Sequence, residues 1–308
     1  MPRAFRSVPS LNPEDFPADR FVLERNDRSL DCRPGSPEVP GAHVMGILNV
    51  TPDSFSDGGQ YMTVERALSR AAEMLSEGAS IIDVGGESTR PGADPISAED
   101  ERDRVVPVID ALCDRFPEAL ISVDTYKPEV ARAALAAGAH IVNDVTGLRH
   151  HPEMAQAAAD WKAPLVLMHS VGEPGDLTRP REYDDVTAEV RDALAQSIET
   201  AKEAGVEQVV IDPGFGFGKS DKENLRLINE VDELLTLNHP VLVGVSRKST
   251  IGATLGTPDD PTPTDERLFG SLGATAVAVV RGATIVRTHD VAPTVEMLKV
   301  LGSTLREH

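Results

Sequence analysis

Several things are scarce in this chain, and each scarcity excludes something. Two cysteines, Cys32 and Cys113, occur in 308 residues. They have neither metal-ligand spacing nor the density of a disulfide framework, so a reducing, cytoplasmic setting is expected. No apolar run approaches the length of a membrane span, and no charged segment leads into an apolar one at the N-terminus, so neither insertion nor export is expected. Cations are few: 30 Lys and Arg, only seven of them Lys, stand against 50 Asp and Glu, for a net charge of -20. Such a field disfavours nucleic acid and anionic membranes as partners. Any anionic ligand must then be met by a local cluster of cations. Low-complexity tracts are absent, and no repeat is evident beyond a strand-plus-helix unit.

That unit is what the sequence does have. Val44 to Leu48 is an apolar run ended by Asn49, and the same device recurs in seven further places. Ser80-Ile-Ile-Asp83, Leu120-Ile-Ser-Val-Asp124, His140-Ile-Val-Asn143-Asp144 and Pro164-Leu-Val-Leu-Met168-His169 form the first four of these. Gln208-Val-Val-Ile-Asp212, Val241-Leu-Val-Gly-Val-Ser246 and Thr284-Ile-Val-Arg287-Thr-His289 complete them. Near-continuous apolar strands without two-fold alternation indicate a parallel sheet covered on both faces, and eight strands with intervening helices make a (β/α)8 TIM barrel, an α/β fold. The polar residues at the carboxyl ends of its strands share one mouth, where the site is expected.

At 40% hydrophobic content the chain suits one barrel domain, placed at 43–308, with an N-terminal arm at 1–42. The arm holds seven prolines, and its Phe21-Val-Leu-Glu and Ser29-Leu-Asp-Cys segments flank a polar turn, which predicts a hairpin closing the barrel bottom. Helices are predicted over Val64 to Ser76, Ala98 to Arg115, Pro128 to Ala137, Pro152 to Asp160, Asp184 to Ala204, Asp221 to Leu235, Asp265 to Val280 and Val291 to Leu301.

Four constellations carry chemistry. Thr51 to Tyr61 and Gly85 to Gly92 are loops rich in Gly and small polar residues, able to approach a ligand closely and to move over it. Asp83, Asp124, Asn143, Asp144 and Asp212 all end strands, where together they can receive the donor edge of a heterocycle. Asp212-Pro-Gly-Phe-Gly-Phe-Gly-Lys219 sets two aromatics among glycines, so that Phe215 or Phe217 can lie on a flat ligand; its spacing is wrong for a dinucleotide fingerprint. Ser246-Arg247-Lys248-Ser249 and Arg287-Thr-His289 gather cations on the quarter of the barrel where phosphates usually sit. His169, alone at its strand end, is expected to be structural.

G-I-L-N-V-T-P-D-S-F-S-D-G-G, D-V-G-G-E-S-T-R-P-G, S-V-D-T, N-D-V-T-G, D-P-G-F-G-F-G-K, S-R-K-S and V-R-T-H-D occur in that order from about His43 onwards. Together they resemble the dihydropteroate synthase family. The resemblance implies displacement of diphosphate from (7,8-dihydropterin-6-yl)methyl diphosphate by the amine of 4-aminobenzoate in folate biosynthesis. It implies Asp124, Asn143, Asp212 and Lys248 as pterin contacts with Met168 packed on the ring, Asn49 as a Mg²⁺ ligand, and Arg287 and His289 on the diphosphate. Thr89, Arg90, Pro91, Phe217, Lys248 and Ser249 would shape the aminobenzoate pocket, with Thr89 also reaching the pterin diphosphate. A homodimer through barrel helices and competition by sulfonamides are implied as well.

Two alternatives stand beside it. One is the related pterin-binding methyltransferase barrel, which has no need of a diphosphate cluster; the other is an inactive pterin-binding paralogue. On the synthase reading aminobenzoate binds after the diphosphate, and Arg287→Ala is expected to lose diphosphate while still binding a pterin that lacks it.

Overall fold

The structure is a computed structural model that describes residues 6–7, 9–25, 28–36, 41–50, 60–88 and 94–306. Eight parallel strands form its centre: β3 (His43–Asn49), β4 (Ile81–Gly85), β5 (Leu120–Asp124), β6 (Ile141–Asp144), β7 (Leu165–Met168), β8 (Val209–Asp212), β9 (Leu242–Val243) and β10 (Ile285–Thr288). They pair in the order β8-β7-β6-β5-β4-β3-β10-β9, and a parallel bridge from Ile211 to Val241 joins the two ends. The predicted barrel is therefore observed and closed.

Helices cover the outside: α2 (Gln60–Glu77), α3 (Ala98–Arg115), α4 (Pro128–Ala136), α5 (Met154–Asp160), α6 (Val186–Glu203), α7 (Asp221–Asn229), α8 (Ser249–Leu255), α9 (Leu268–Val280) and α10 (Val291–Arg306). Local chemistry sets several starts. Ser97 accepts the amide of Asp100 at 3.0 Å ahead of α3, Pro128 opens α4, and Ser220 with Glu223 forms a capping box on α7. No helix among the described residues is long and apolar enough to cross a membrane.

Of two differences from the sequence expectation, the first goes with a tertiary contact and the second with local features. The helix expected to run to Leu235 stops at Asn229, where Arg6 of the arm takes the Asn229 carbonyl at 3.1 Å; a 3-10 segment, Val231–Leu237, follows and turns Val231 and Leu234 into the core. Helix α8 has no counterpart among the predicted helices, being seven residues long and without a side-chain cap.

The core has two layers, as a barrel requires. Between strands and helices lie residues such as Val44, Ile82, Ile121, Leu165 and Ile211. Inside the barrel, Met45, Ile81, Leu120, Ile141, Val166, Val210, Leu242 and Ile285 form a layer near the amino ends of the strands. Leu23, Leu30 and Cys32 join that layer. The first two come from an antiparallel hairpin, β1 (Val22–Arg25) with β2 (Arg28–Asp31), after a single helical turn, α1 (Ala18–Phe21). The apolar plug ends here, and the opposite mouth is left to polar side chains.

Candidate active site

Strand register brings the mouth residues together. Gly85 pairs with Asp124 and Asp124 with Asn143 across β4, β5 and β6, while Met168 pairs with Asp212 across β7 and β8. Arg287, entering from β10, spans the group: its Nε donates to Asp83 Oδ2 at 2.7 Å and its Nη2 to Asp124 Oδ2 at 2.6 Å. Asn143 Nδ2 donates to the same Asp83 oxygen at 3.1 Å. Burial opposes the charge on Arg287, yet Asp83 and Asp124 hold the guanidinium above its ordinary range. Burial also pushes the Asp124 carboxyl up to about 7 against the pull of Arg287, with Asp83 adding to the rise.

The loop after β8 supplies a flat surface and a second cation. Asp212 Oδ1 accepts the Gly214 amide at 2.7 Å, and burial raises the Asp212 carboxyl against Lys248, the Gly214 N–H and Lys219. Lys248 lies with its Nζ 4.3 Å from the centre of the Phe217 ring and donates to the Phe215 carbonyl. Its stem crosses Gly216, where a Cβ would stand 2.9 Å from Lys248 Cδ. Burial lowers Lys248 to about 8, and the charges acting on it are those of Asp212, Arg287 and Asp124. Acids and cations from four strands thus share one electrostatic environment. Phe217 also packs with Met168, Tyr126, Val145 and Leu177 in an apolar patch.

Two residues after Arg287, His289 Nδ1 is 3.1 Å from Ser246 Oγ, and the His289 amide donates to the same hydroxyl at 3.2 Å. At the end of β3, a Cβ on Gly85 would stand 3.5 Å from Asp124 Oδ2 and 3.8 Å from Asn49 Oδ1, so the bare glycine leaves a gap flanked by two oxygens.

Most of the sequence-predicted residues therefore converge: Asn49, Asp124, Asn143, Met168, Asp212, Phe217, Lys248, Arg287 and His289. Ser249 is exposed at the first turn of α8. Thr89, Arg90 and Pro91 lie outside the described residues, as do 51–59 of the first loop.

Two expectations need correction, and one open choice is decided. Asp144 is spent on its own turn; its oxygens accept from the Thr146 amide and hydroxyl and the Leu148 amide at 2.7–2.8 Å, closing the turn after β6. Phe215 is fully buried in the strand–helix core, which leaves Phe217 as the aromatic of the pair at the mouth. Arg247 is held by Asp290 through Nε at 3.0 Å and Nη2 at 2.5 Å, so it is engaged in an ion pair of its own. Sequence reasoning also missed Tyr126 and Leu177, which show no motif and reach the patch only through the fold. It placed Asp83 at the mouth without seeing that Arg287 would claim it.

A profile of pterin binding enzymes matches residues 45–289. Dihydropteroate synthase of Escherichia coli (strain K12) is 48% identical over 265 residues, 85% of this chain and 92% of that protein. The chain belongs to the dihydropteroate synthase family. Its fold agrees with solved members: the Xanthomonas albilineans synthase with 4-aminobenzoic acid aligns at a TM-score of 0.82 and 44% identity, covering 93% of this chain and 98% of that one. The Thermus thermophilus synthase in complex with 6HMPPP aligns at 0.76 and 42%, covering 92% and 99%.

Proposed function

We infer that the chain works as a dihydropteroate synthase, joining 4-aminobenzoate to the methylene of (7,8-dihydropterin-6-yl)methyl diphosphate and releasing diphosphate in folate biosynthesis. The observation that carries this is the meeting of Asp124 and Asp212 with Lys248 and Arg287 in one mouth, acceptors for a heterocycle beside cations for its leaving group. A methyl-transferring barrel has no use for the second half of that set, and relatives nearly half identical to this chain are synthases.

In this reading Asp212, Asp124 and Asn143 take the pterin edge, Met168 packs on the ring, and Lys248 lies over Phe217 at its border. Arg287 and His289 meet the diphosphate, and Thr89, Arg90, Pro91, Phe217, Lys248 and Ser249 shape the aminobenzoate pocket. As the C–O bond to diphosphate breaks, positive charge develops on the methylene, and the carboxylates of Asp124 and Asp212 stabilise it. The aniline nitrogen forms the new C–N bond and loses a proton to solvent; being a nucleophile at neutral pH, it needs no strong base. Asn49 would hold Mg²⁺ at the gap beside Gly85, which Asn49 Oδ1 and Asp124 Oδ2 flank, with the ion's remaining oxygens coming from water and substrate phosphate. When bound there, Mg²⁺ would neutralise developing charge on the leaving diphosphate.

Two further parts of the reading are a cytoplasmic location, which suits the free thiols of Cys32 and Cys113, and a homodimer formed through barrel helices. The deciding assay is diphosphate release. It should require both the pterin diphosphate and 4-aminobenzoate, and no release with both present would overturn the assignment.

A further inference from the structure

Lys219 ends the Phe-Gly-Phe-Gly loop, and the roles above leave it unused. Its side chain is buried, 4% exposed, and its ammonium donates to three carbonyls: His169 at 3.2 Å, Gly214 at 2.9 Å and Phe217 at 2.8 Å. Burial lowers Lys219 to about 7 against the pull of Asp212, and in the charged form these acceptors use all three of its donors. Two of the carbonyls belong to the loop that carries Phe217, and the third belongs to the residue after Met168 at the end of β7. One side chain thus ties together the two stretches whose side chains, Met168 and Phe217, meet in the apolar patch.

The backbone is shaped to allow this. Gly214 has φ of 68°, and a Cβ there would fall 1.8 Å from the His169 carbonyl, so only glycine lets the loop press on β7 closely enough for one ammonium to reach both. From the far side, Asn224 accepts the Gly216 amide at 2.7 Å and donates to the Lys219 carbonyl at 3.2 Å. The loop is clamped at both ends. A hydrocarbon could fill the volume of Lys219, but it would take the donor away from the buried His169 and Phe217 carbonyls and leave Gly214 with the Phe217 amide alone.

We propose that Lys219 is a positioning residue of the condensation, which fixes Phe217 against Met168 and thereby sets the aminobenzoate pocket without touching either substrate. It also places a cation behind Asp212, where Lys248 and the Gly214 N–H already act more strongly, so its influence on the pterin is the smaller one. The proposal rests on the synthase reading.

The test is a double-mutant cycle with steady-state kinetics on the full chain, using Lys219→Met, Phe217→Ala and both together. Lys219→Met should raise the KM for 4-aminobenzoate by about tenfold or more, with a clearly smaller change in the KM for the pterin diphosphate. In the Phe217→Ala background the same change should add little, because its route of action is already gone. Equal effects in both backgrounds, or an unchanged aminobenzoate KM, would overturn the proposal. Should Lys219→Met not fold, Lys219→Gln, which keeps two donors, is carried through the same cycle and judged by the same outcomes. A parent without turnover overturns the synthase reading and this inference together; an active parent with no Lys219 effect overturns the inference alone.

Discussion

Arg287 Nη2 lies 2.6 Å from Asp124 Oδ2 while its Nε holds Asp83 at 2.7 Å, so the cation proposed for the diphosphate is also the counter-charge of an acid proposed for the pterin. This changes what Arg287→Ala can be expected to do. The variant should lose free diphosphate, but it also strands two buried carboxylates and lets Asp124 hold its proton to higher pH. Affinity for a pterin without diphosphate should therefore fall as well near neutrality, by about tenfold. It should recover as pH is raised. Calorimetry with the two ligands separately checks both halves, and diphosphate binding as tight as in the parent would remove Arg287 from the leaving-group site.

Asp124 gives a pH dependence of known sign. Its carboxyl rises from 3.8 to about 7 on folding, chiefly through burial, so the protonated form favours the fold. That stabilising contribution is complete below pH 3.8 and is lost as pH climbs through about 7. Pterin affinity should move the other way, increasing through the same window as the carboxylate forms. Asp124→Asn is expected to flatten both profiles. Thermal melts and calorimetry across that range would show it; an unchanged slope in the variant means another group is responsible.

Asp212→Asn should keep the fold, because the amide oxygen can still accept the Gly214 N–H now held at 2.7 Å. Its NH2 then faces a ligand edge that donates. Pterin affinity is expected to drop by about 1.5–3 kcal/mol, the worth of a charge-assisted contact turned unfavourable. Equal affinities in parent and variant, at matched melting temperatures, would place the pterin elsewhere.

One exposed face suits the proposed homodimer. On α9, Phe269 is 83% exposed and Val277 42%, with Gly273 between them on the same face of the helix. Phe269→Glu should shift the chain from dimer to monomer in sedimentation while leaving its helical content intact. A parent that sediments as a monomer, or a variant that still dimerises, would rule this face out.

The sequence by itself determined the barrel, because eight apolar runs without alternation can be satisfied only by a sheet buried on both faces, and each run announces its mouth residue by ending polar. Asp124, Asn143, Asp212, Lys248 and Arg287 were legible for that reason. The helix starts at Ala98 and Asp221 were legible too, since capping is decided by residues three apart in the chain. Tertiary structure alone decided the rest. Whether a strand-end acid is spent on its own turn or meets a cation at the mouth depends on which donors surround it, and this separates Asp144 from Asp124. Which of Phe215 and Phe217 faces the mouth depends on the loop's path across β7, set by the carbonyls that Lys219 gathers. The carbonyl at the end of α7 meets Arg6, more than two hundred positions away, and no local pattern carries a contact made at that distance.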